Sequence, residues 1–400
     1  MGEDYGSAVP RSGGSGPLPL VVATIFREQG STGIHTHVRQ LSRYVERSGG
    51  SVTVVTPFSW CRPLTYPVFG VRLALVRASQ PAGVVWYRHW HEVFLRKALR
   101  RRLAQLDECI VYAQGPVEAA AALRARRGPH QRVVLAVHFR ASMADEHAEP
   151  GRELRRNGLV FRSIRRSEQA VIPRVDGLVY VSEWARDALL SWLPQAASVP
   201  STVTGNFVTP MTYENREEPT RDLVSTGKLE DRKNHRFLLD VLAEAGRAGR
   251  RLTLDVFGDG PLWNDLHARC RELGLQEQVR FLGVRSDVRE QLPNYRVYAH
   301  AALAETSSLA IIEAMAAGLP ILAGPIGPLP ELFDDGVEGR YWPLDDPARA
   351  AAILVDLLAD QEAMGKASRA ARERFARDFD ANVVGARLWS FLQEAGSRRG

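Results

Sequence analysis

Short apolar runs alternate with amphipathic helical segments along the first half of the chain. Residues 33–47 carry apolar side chains at helical spacing, whereas the runs around them are short and almost wholly apolar. Continuous apolar strands joined by helical crossovers are typical of a parallel sheet covered on both faces. The pattern predicts strands over residues 19–26, 51–58, 83–88, 109–113, 132–138 and 177–182.

The alternation stops at residues 194–220 and then begins again. This stretch is rich in Pro, Ser and Thr, has little periodicity and indicates a linker. We therefore predict two doubly wound α/β domains that face each other, with the ligand site in the cleft beyond the carboxyl ends of their strands. The second set of predicted strands covers residues 222–227, 251–258, 278–283, 296–301 and 319–324.

These patterns also predict the domain boundaries. The N-terminal domain covers residues 17–203, the linker 204–220 and the C-terminal domain 221–380. Residues 381–400 are expected to form a helix that packs back towards the N-terminal domain. Residues 1–16 are rich in Gly and Ser and lack the apolar core of a signal peptide, so a disordered tail is expected there.

Composition narrows the class of protein. No apolar run reaches the ~20 residues that span a bilayer. The three cysteines, Cys61, Cys109 and Cys270, form neither a C-x-x-C pair nor a disulfide framework, which favours a cytoplasmic compartment. The net charge of +6 suits an anionic partner, such as a nucleotide or anionic lipid. Zinc-finger and RNA-binding signatures are absent, so no nucleic-acid partner is expected.

The stretch "ETSSLAIIEAM" (305–315) places two acids around an apolar helix. Ser307 or Ser308 can cap a helix that stops at Gly318. Because a buried carboxylate needs a partner or a cavity, Glu313 faces either an arginine or a ligand. Glu305 precedes the cap, next to free amides that favour anions. The pattern predicts a site for a polar ligand with a negative part.

Other candidate residues fall at predicted strand ends on the same side. Gly33 opens the first helix, His138 follows an apolar strand, and Lys228 and Lys233 are two of only four lysines in the chain. A strand–helix turn, a capped histidine and a solvated loop are the ordinary structural interpretations. Together, however, these residues predict a ligand with a diphosphate and several hydroxyl groups.

Two histidine pairs and two basic helices allow further interpretations. His35/His37 and His89/His91 diverge on a helix, so no metal site is expected. Residues 88–102 and 152–166 are basic and amphipathic. They are either the charged outer faces of crossover helices or a peripheral dock on an anionic membrane.

These residues resemble glycosyltransferase family 4, the retaining enzymes with two Rossmann-like domains in the GT-B fold. The most specific element is Glu305-x7-Glu313 followed by "AMAAGLP", which is similar to the family's E-x7-E signature. The resemblance covers about residues 18–395. Further landmarks are "TGKLEDRKN" (226–234), "GDGPLWNDL" (258–266), "VRFLG" (279–283), "PELFDDGVEG" (330–339), "IPRVDGLVYVSEWARDAL" (172–189) and "TGNFV" (204–208).

The resemblance implies a role for each matching position. Glu313 would hold the nucleotide ribose, and Glu305 would touch the donor sugar near its C3 hydroxyl. Both lysines would neutralise the diphosphate, which Gly33 would approach from the N-terminal domain. His138 would lie beside the donor sugar and the acceptor. The implied catalytic residues are Glu305, His138, Lys228 and Lys233; the implied donor-binding residues are Gly33, Lys228, Lys233, Val284, Arg285, Glu305, Thr306, Ser307, Ser308, Leu309 and Glu313.

The implied reaction is a metal-independent, retaining transfer from a nucleotide sugar to a hydroxyl-bearing metabolite or glycan. UDP-sugar is the first choice of donor and GDP-sugar the second, and no cofactor is expected. Thr306 and Ser307 depart from the glycine and aromatic residue frequent in the family, and Lys228 replaces a frequent arginine. A lipid glycosyltransferase, a nucleotide-sugar 2-epimerase and a non-catalytic binder remain alternatives. Because both acids would serve the ligand, neither Glu305→Gln nor Glu313→Gln is expected to lower the melting temperature greatly.

Overall fold

The structure is a computed structural model that describes residues 16–27, 30, 33–148, 154–213 and 218–397. It has two α/β domains, each built on a six-stranded parallel sheet. This confirms the predicted α/β class with two Rossmann-like domains. Residues 1–15 of the predicted tail, and the last three residues of the C-terminal helix as predicted, lie outside the described residues.

The N-terminal sheet has the strand order β2-β1-β3-β4-β5-β6. Apolar clusters cover both of its faces, as expected for strands made of continuous Val, Ile, Leu and Ala. The strands are β1 (Leu20–Ala23), β2 (Val52–Val55), β3 (Cys109–Ala113), β4 (Gln131–Val137), β5 (Gly177–Tyr180) and β6 (Ser201–Val203). The helices are α1 (Gly33–Arg47), α2 (Arg62–Ala78), α3 (Gln80–Leu103), α4 (Pro116–Ala125), α5 (Met143–His147), α6 (Leu159–Val171) and α7 (Glu183–Trp192).

The C-terminal sheet has the order β12-β11-β10-β7-β8-β9 and is likewise covered on both faces. Its strands are β7 (Arg221–Thr226), β8 (Leu254–Phe257), β9 (Val279–Gly283), β10 (Tyr295–His300), β11 (Ile321–Ala323) and β12 (Gly339–Tyr341). The helices are α8 (His235–Arg247), α9 (Trp263–Glu272), α10 (Val288–Gln291), α11 (Leu309–Ala316), α12 (Leu329–Leu332), α13 (Pro347–Ala359), α14 (Gln361–Asp378) and α15 (Ala381–Ser397).

One predicted strand is wrong. Residues 83–88 lie inside α3, a helix of 24 residues. Ser79 caps this helix by accepting from the amide of Ala82, and Pro81 stands in its first turn. The buried residues Val84, His91, Phe94, Leu95 and Ala98 recur at helical spacing, a period that a six-residue window cannot reveal. The short edge strands β6 and β12 were not predicted.

The chain returns to the N-terminal domain at its end. The backbone of Val208 pairs with residues 379 and 381, so the two connections between the domains run side by side. After this crossing, α15 buries Val384, Leu388 and Leu392 in the apolar cluster on one face of the N-terminal sheet. Among the described residues, no helix is both long and apolar enough to cross a membrane.

A carboxylate of the C-terminal domain caps a helix of the N-terminal domain. The Glu331 side chain accepts from the backbone amides of Glu183 and Trp184, at 2.8 and 2.6 Å. These amides belong to the first turn of α7, where a helix lacks its own acceptors and attracts negative charge. Glu331 therefore joins the two domains on one side of the space between them.

We predict that Glu331→Ala loosens this contact, because the α7 amides lose a charged acceptor whose bonds contribute about 1.5–3 kcal/mol. The radius of gyration from small-angle X-ray scattering should increase. Glu362→Ala is the matched control, since Glu362 is an exposed acid that pairs with the exposed Lys366 one turn along α14. Equal scattering from both variants would show that Glu331 does not hold the domains together.

Candidate active site

A cleft of about 1020 Å³ lies between the carboxyl ends of the two sheets. Both domains contribute to its wall, as the strand ends predict. The structure brings to this wall every residue in the predicted set. They are Gly33, His138, Lys228, Lys233, Val284, Arg285, Glu305, Thr306, Ser307, Ser308, Leu309 and Glu313.

Two helix N-termini meet across the cleft. Gly33 is the first residue of α1, and a methyl group at its Cα would lie 3.5 Å from Cδ1 of Leu309, the first residue of α11. Ser308 caps α11 by accepting from the Ile311 amide. The remaining first-turn amides of both helices have no intrahelical acceptors, and their dipoles favour an anion at this point.

Glu305 has partners within the protein. Lys233 Nζ binds its Oε1, Arg232 Nη1 lies 3.5 Å from Oε2, and His300 Nε2 lies 3.3 Å from Oε1. Burial alone would raise the pKa of Glu305, but the contact with His300 and the charges of Lys233 and Arg232 outweigh it and lower the pKa to about 2. Glu305 is therefore ionised at neutral pH and ties the loop after β10 to the loop after β7.

Glu313 is in a different electrostatic environment. It lies on α11 with its side chain 24% exposed to the cleft, and Arg289 Nε is 3.9 Å away, beyond hydrogen-bonding distance. Burial raises the pKa of Glu313, and Arg289 only partly opposes this shift. Arg289 itself donates to the backbone oxygen of Thr209. Glu313 is thus a cleft carboxylate with spare acceptor capacity.

The loop after β7 concentrates positive charge at the cleft wall. Lys228 is 63% exposed and pairs with Glu230 at 3.0 Å, while Arg232 binds Glu230 and the backbone oxygen of Ala304. Close backbone packing shapes the wall beside this loop, because a methyl group on Gly258 would lie 1.8 Å from the carbonyl oxygen of Gly227. Three cations, Lys228, Arg232 and Lys233, therefore lie within seven residues of the end of β7.

His138 enters the cleft from the N-terminal domain in its neutral form. Its Nε2 donates to Gln114 Oε1 at 3.0 Å, which leaves Nδ1 as the acceptor nitrogen. Burial, with a further contribution from His37, holds the pKa of His138 well below its ordinary value. A neutral imidazole in the cleft wall can accept or donate a hydrogen bond without adding charge.

The cleft also holds a buried hydroxyl group without a partner among the described residues. Oγ of Ser307 is buried, yet it has no hydrogen-bond partner in the described part of the chain. Buried polar atoms in native proteins are normally satisfied. The Ser307 hydroxyl therefore points to a polar ligand at the approach to α11.

Sequence reasoning missed three residues around the acids. Arg232 stands between the two lysines, but the argument from rare lysines passed over it. Arg289 and His300 carry no local signal, because they reach the acids through the fold rather than through spacing. In the described residues, no group of three or more His, Cys, Asp or Glu side chains could hold a metal ion.

Comparisons with known proteins define the class to which this protein belongs. Residues 31–209 match the family described as Glycosyltransferase Family 4, and residues 220–360 match Glycosyl transferases group 1. The structure of HepE from Anabaena in complex with UDP and glucose superimposes with a TM-score of 0.68 at 17% identity, over 94% of this chain and 100% of that chain. The fold is that of a two-domain GT-B glycosyltransferase.

Sequence relatives place the chain within this class. Glycogen synthase of Mycobacterium tuberculosis is 25% identical over 375 residues, 88% of this chain and 88% of that protein. Putative glycosyltransferase EpsF of Bacillus subtilis is 34% identical over 90 residues, 22% of this chain and 23% of that protein. The chain spans less than half the length of EpsF and of two further curated relatives. The protein belongs to the family-4 glycosyltransferases.

The partners of Glu305 change the expectation for its substitution. Its folded-state pKa of about 2 lies below the ordinary value of 4.5, so ionised Glu305 stabilises the fold above about pH 4.5, and this contribution is lost as the pH falls towards 2. We predict that Glu305→Gln lowers the free energy of unfolding at neutral pH by up to about 3 kcal/mol.

Denaturant titrations of both proteins at several pH values measure this difference. The difference in the free energy of unfolding between wild type and Glu305→Gln should become smaller as the pH falls from about 4.5 to 2. Glu362→Gln, which changes an exposed acid, should show little gap at any pH. A gap for Glu305→Gln that is constant with pH would contradict the buried ion pair.

Proposed function

We propose that this protein is a retaining glycosyltransferase that moves a sugar from a nucleoside diphosphate sugar to an acceptor hydroxyl without a metal ion. The observation that carries the proposal is the convergence in the cleft of two helix N-termini, one from each domain, with three cations of the C-terminal domain. Fixed dipoles and cations stabilise a departing diphosphate because they need no reorganisation as charge develops.

The roles of the residues follow from their contacts. Lys228, Lys233 and Arg232 neutralise the diphosphate, with the first-turn amides of α11 beside them. Glu305 holds Lys233 in place and offers its remaining oxygen capacity to a sugar hydroxyl. Glu313 accepts from the ribose hydroxyls, which would replace the hydrogen bonds that Arg289 does not supply. Val284 and Arg285 line the same wall, where the base would lie.

Retention of configuration requires no dedicated base on the opposite face of the sugar. In the proposed step, the bond from the anomeric carbon to the diphosphate oxygen breaks, and that oxygen takes the proton of the acceptor hydroxyl on the same face. The new glycosidic bond forms from the acceptor oxygen. The neutral His138 orients sugar or acceptor hydroxyls from the N-terminal side and carries no charge that would oppose positive charge at the anomeric carbon.

UDP is the proposed nucleotide. HepE, a neighbour in fold, was solved with UDP and glucose, which supports this choice but leaves the sugar to the pocket around Thr306 and Ser307. Both of these side chains are small, so the pocket leaves room on that side of the donor. A GDP-sugar is the second choice of donor.

A donor screen read by mass spectrometry tests the proposal. UDP- and GDP-sugars are incubated with a library of hydroxyl-bearing acceptors in excess EDTA, and each donor is also incubated alone. We expect a glycosylated acceptor and free nucleoside diphosphate only when both substrates are present. Loss of turnover in EDTA that Mg²⁺ or Mn²⁺ restores would contradict the metal-free mechanism. Complete conversion of the donor alone to a free epimeric sugar would identify a 2-epimerase instead.

A further inference from the structure

The outer face of α2 is apolar and exposed along its whole length. Leu64, Pro67, Val71, Ala74 and Ala78 recur at helical spacing, and all five are exposed. Leu64 is 56% exposed and Val71 44%, although both are large aliphatic residues. The opposite side of α2 packs on α3, so this face has no covering element in the described part of the chain. We call these five residues the α2 face.

Two further large hydrophobic residues are exposed on helices of the same domain. Val85 near the start of α3 is 49% exposed and Leu159 at the start of α6 is 79% exposed. Val85 and Val160, the residue after Leu159, line the same small cavity of about 140 Å³, so α3 and α6 meet there. Of eight large exposed hydrophobic residues among those described, five lie on α2, α3 and α6 of the N-terminal domain, including Tyr66. Such clustering marks an interaction site rather than scattered exposure.

The charge around α2 has one sign. No acidic residue occurs between Glu46 and Glu92, a stretch that contains all of α2 and five arginines. On the α6 side, Arg155, Arg156 and Arg162 are exposed around Leu159. Glu92, an acid at the cavity between α3 and α6, pairs with Arg124. An exposed apolar helix in a cationic stretch is the pattern of helices that lie in the interface of anionic membranes.

The surface lies beside the N-terminal lip of the cleft. Arg27, which follows β1, stacks over the rings of Phe58 and Tyr66, at 5.5 and 5.6 Å from their centroids. Its neighbour Phe26 lines the cleft itself. Tyr66 is thus in contact with the loop that leads into the acceptor half of the cleft, so a molecule bound at the α2 face would be close to this lip.

We propose that the α2 face, with Val85 and Leu159, docks on an anionic lipid membrane and that the acceptor hydroxyl is presented from that membrane. The docking is inferred from the exposed residues alone, whereas the statement about the acceptor rests on the proposed function. The segments that sequence analysis considered for membrane contact lie in α3 and α6. The principal contact is instead α2, about 25 Å of exposed apolar helix.

Co-sedimentation with vesicles tests the docking. One vesicle is phosphatidylcholine alone, and the other contains about 30% phosphatidylglycerol. We expect the full-length protein to bind the anionic vesicles, to bind phosphatidylcholine much more weakly, and to be released by high salt. The variant Leu64→Asp/Val71→Asp should bind the anionic vesicles roughly tenfold more weakly. Val337→Asp is the matched control, since Val337 is a similarly exposed residue, 48%, in the other domain.

Each outcome decides a separate part of the proposal. Equal vesicle binding by the double variant and the control would overturn docking through α2, as would an absence of binding to anionic vesicles. If ultracentrifugation shows a dimer that the double variant abolishes, the α2 face is covered by a second copy and the membrane proposal is wrong. Calorimetric titration of each variant with UDP, whose proposed cations lie in the C-terminal domain, reports on the donor site, so docking can fail while the proposed function stands.

Discussion

The site depends on one buried acid that cannot remain charged without its partners. Glu305 is 7% exposed, and Lys233, Arg232 and His300 keep it ionised. Because these partners come from the loop after β7 and from the end of β10, the acid fixes two strand ends relative to each other. The same pairing fixes the position of Lys233 at the cleft wall, but Glu305 already neutralises part of the charge of Lys233. The exposed Lys228 is then the cation most available to a ligand.

The arrangement of the domains depends on helix N-termini in two places. At the cleft, the N-termini of α1 and α11 face each other, and their first-turn amides lack intrahelical acceptors. At the side of the cleft, the N-terminus of α7 already has an acceptor from the other domain, the carboxylate of Glu331. A diphosphate bound between α1 and α11 would accept from their first-turn amides, as Glu331 accepts from the first-turn amides of α7. In the proposed function, ligand binding and the contact between the domains would thus use the same interaction, an anion at a helix N-terminus.

The sequence predicted the sheets well, because a buried parallel strand is a continuous apolar run and a linker breaks the alternation. It failed at residues 83–88, where a run of six residues was too short to reveal the helical repeat and looked like a strand. The site residues were predicted from strand ends and from the resemblance to glycosyltransferase family 4. Their partners did not, since Arg289 and His300 meet the acids only after folding. The exposed face of α2 was also missed, because exposure is a tertiary property.

Calorimetric titration with UDP of two variants, Lys228→Ala and Lys366→Ala, tests most directly whether the cations after β7 bind the diphosphate. The two lysines are matched: their side chains are 63% and 66% exposed, and each pairs with one glutamate. Loss of a charge-assisted contact of about 1.5–3 kcal/mol should weaken UDP binding by Lys228→Ala roughly tenfold or more. Lys366→Ala should bind as wild type does. Equal affinities in both variants would contradict the account, because Lys228 would then belong to an ordinary solvated loop.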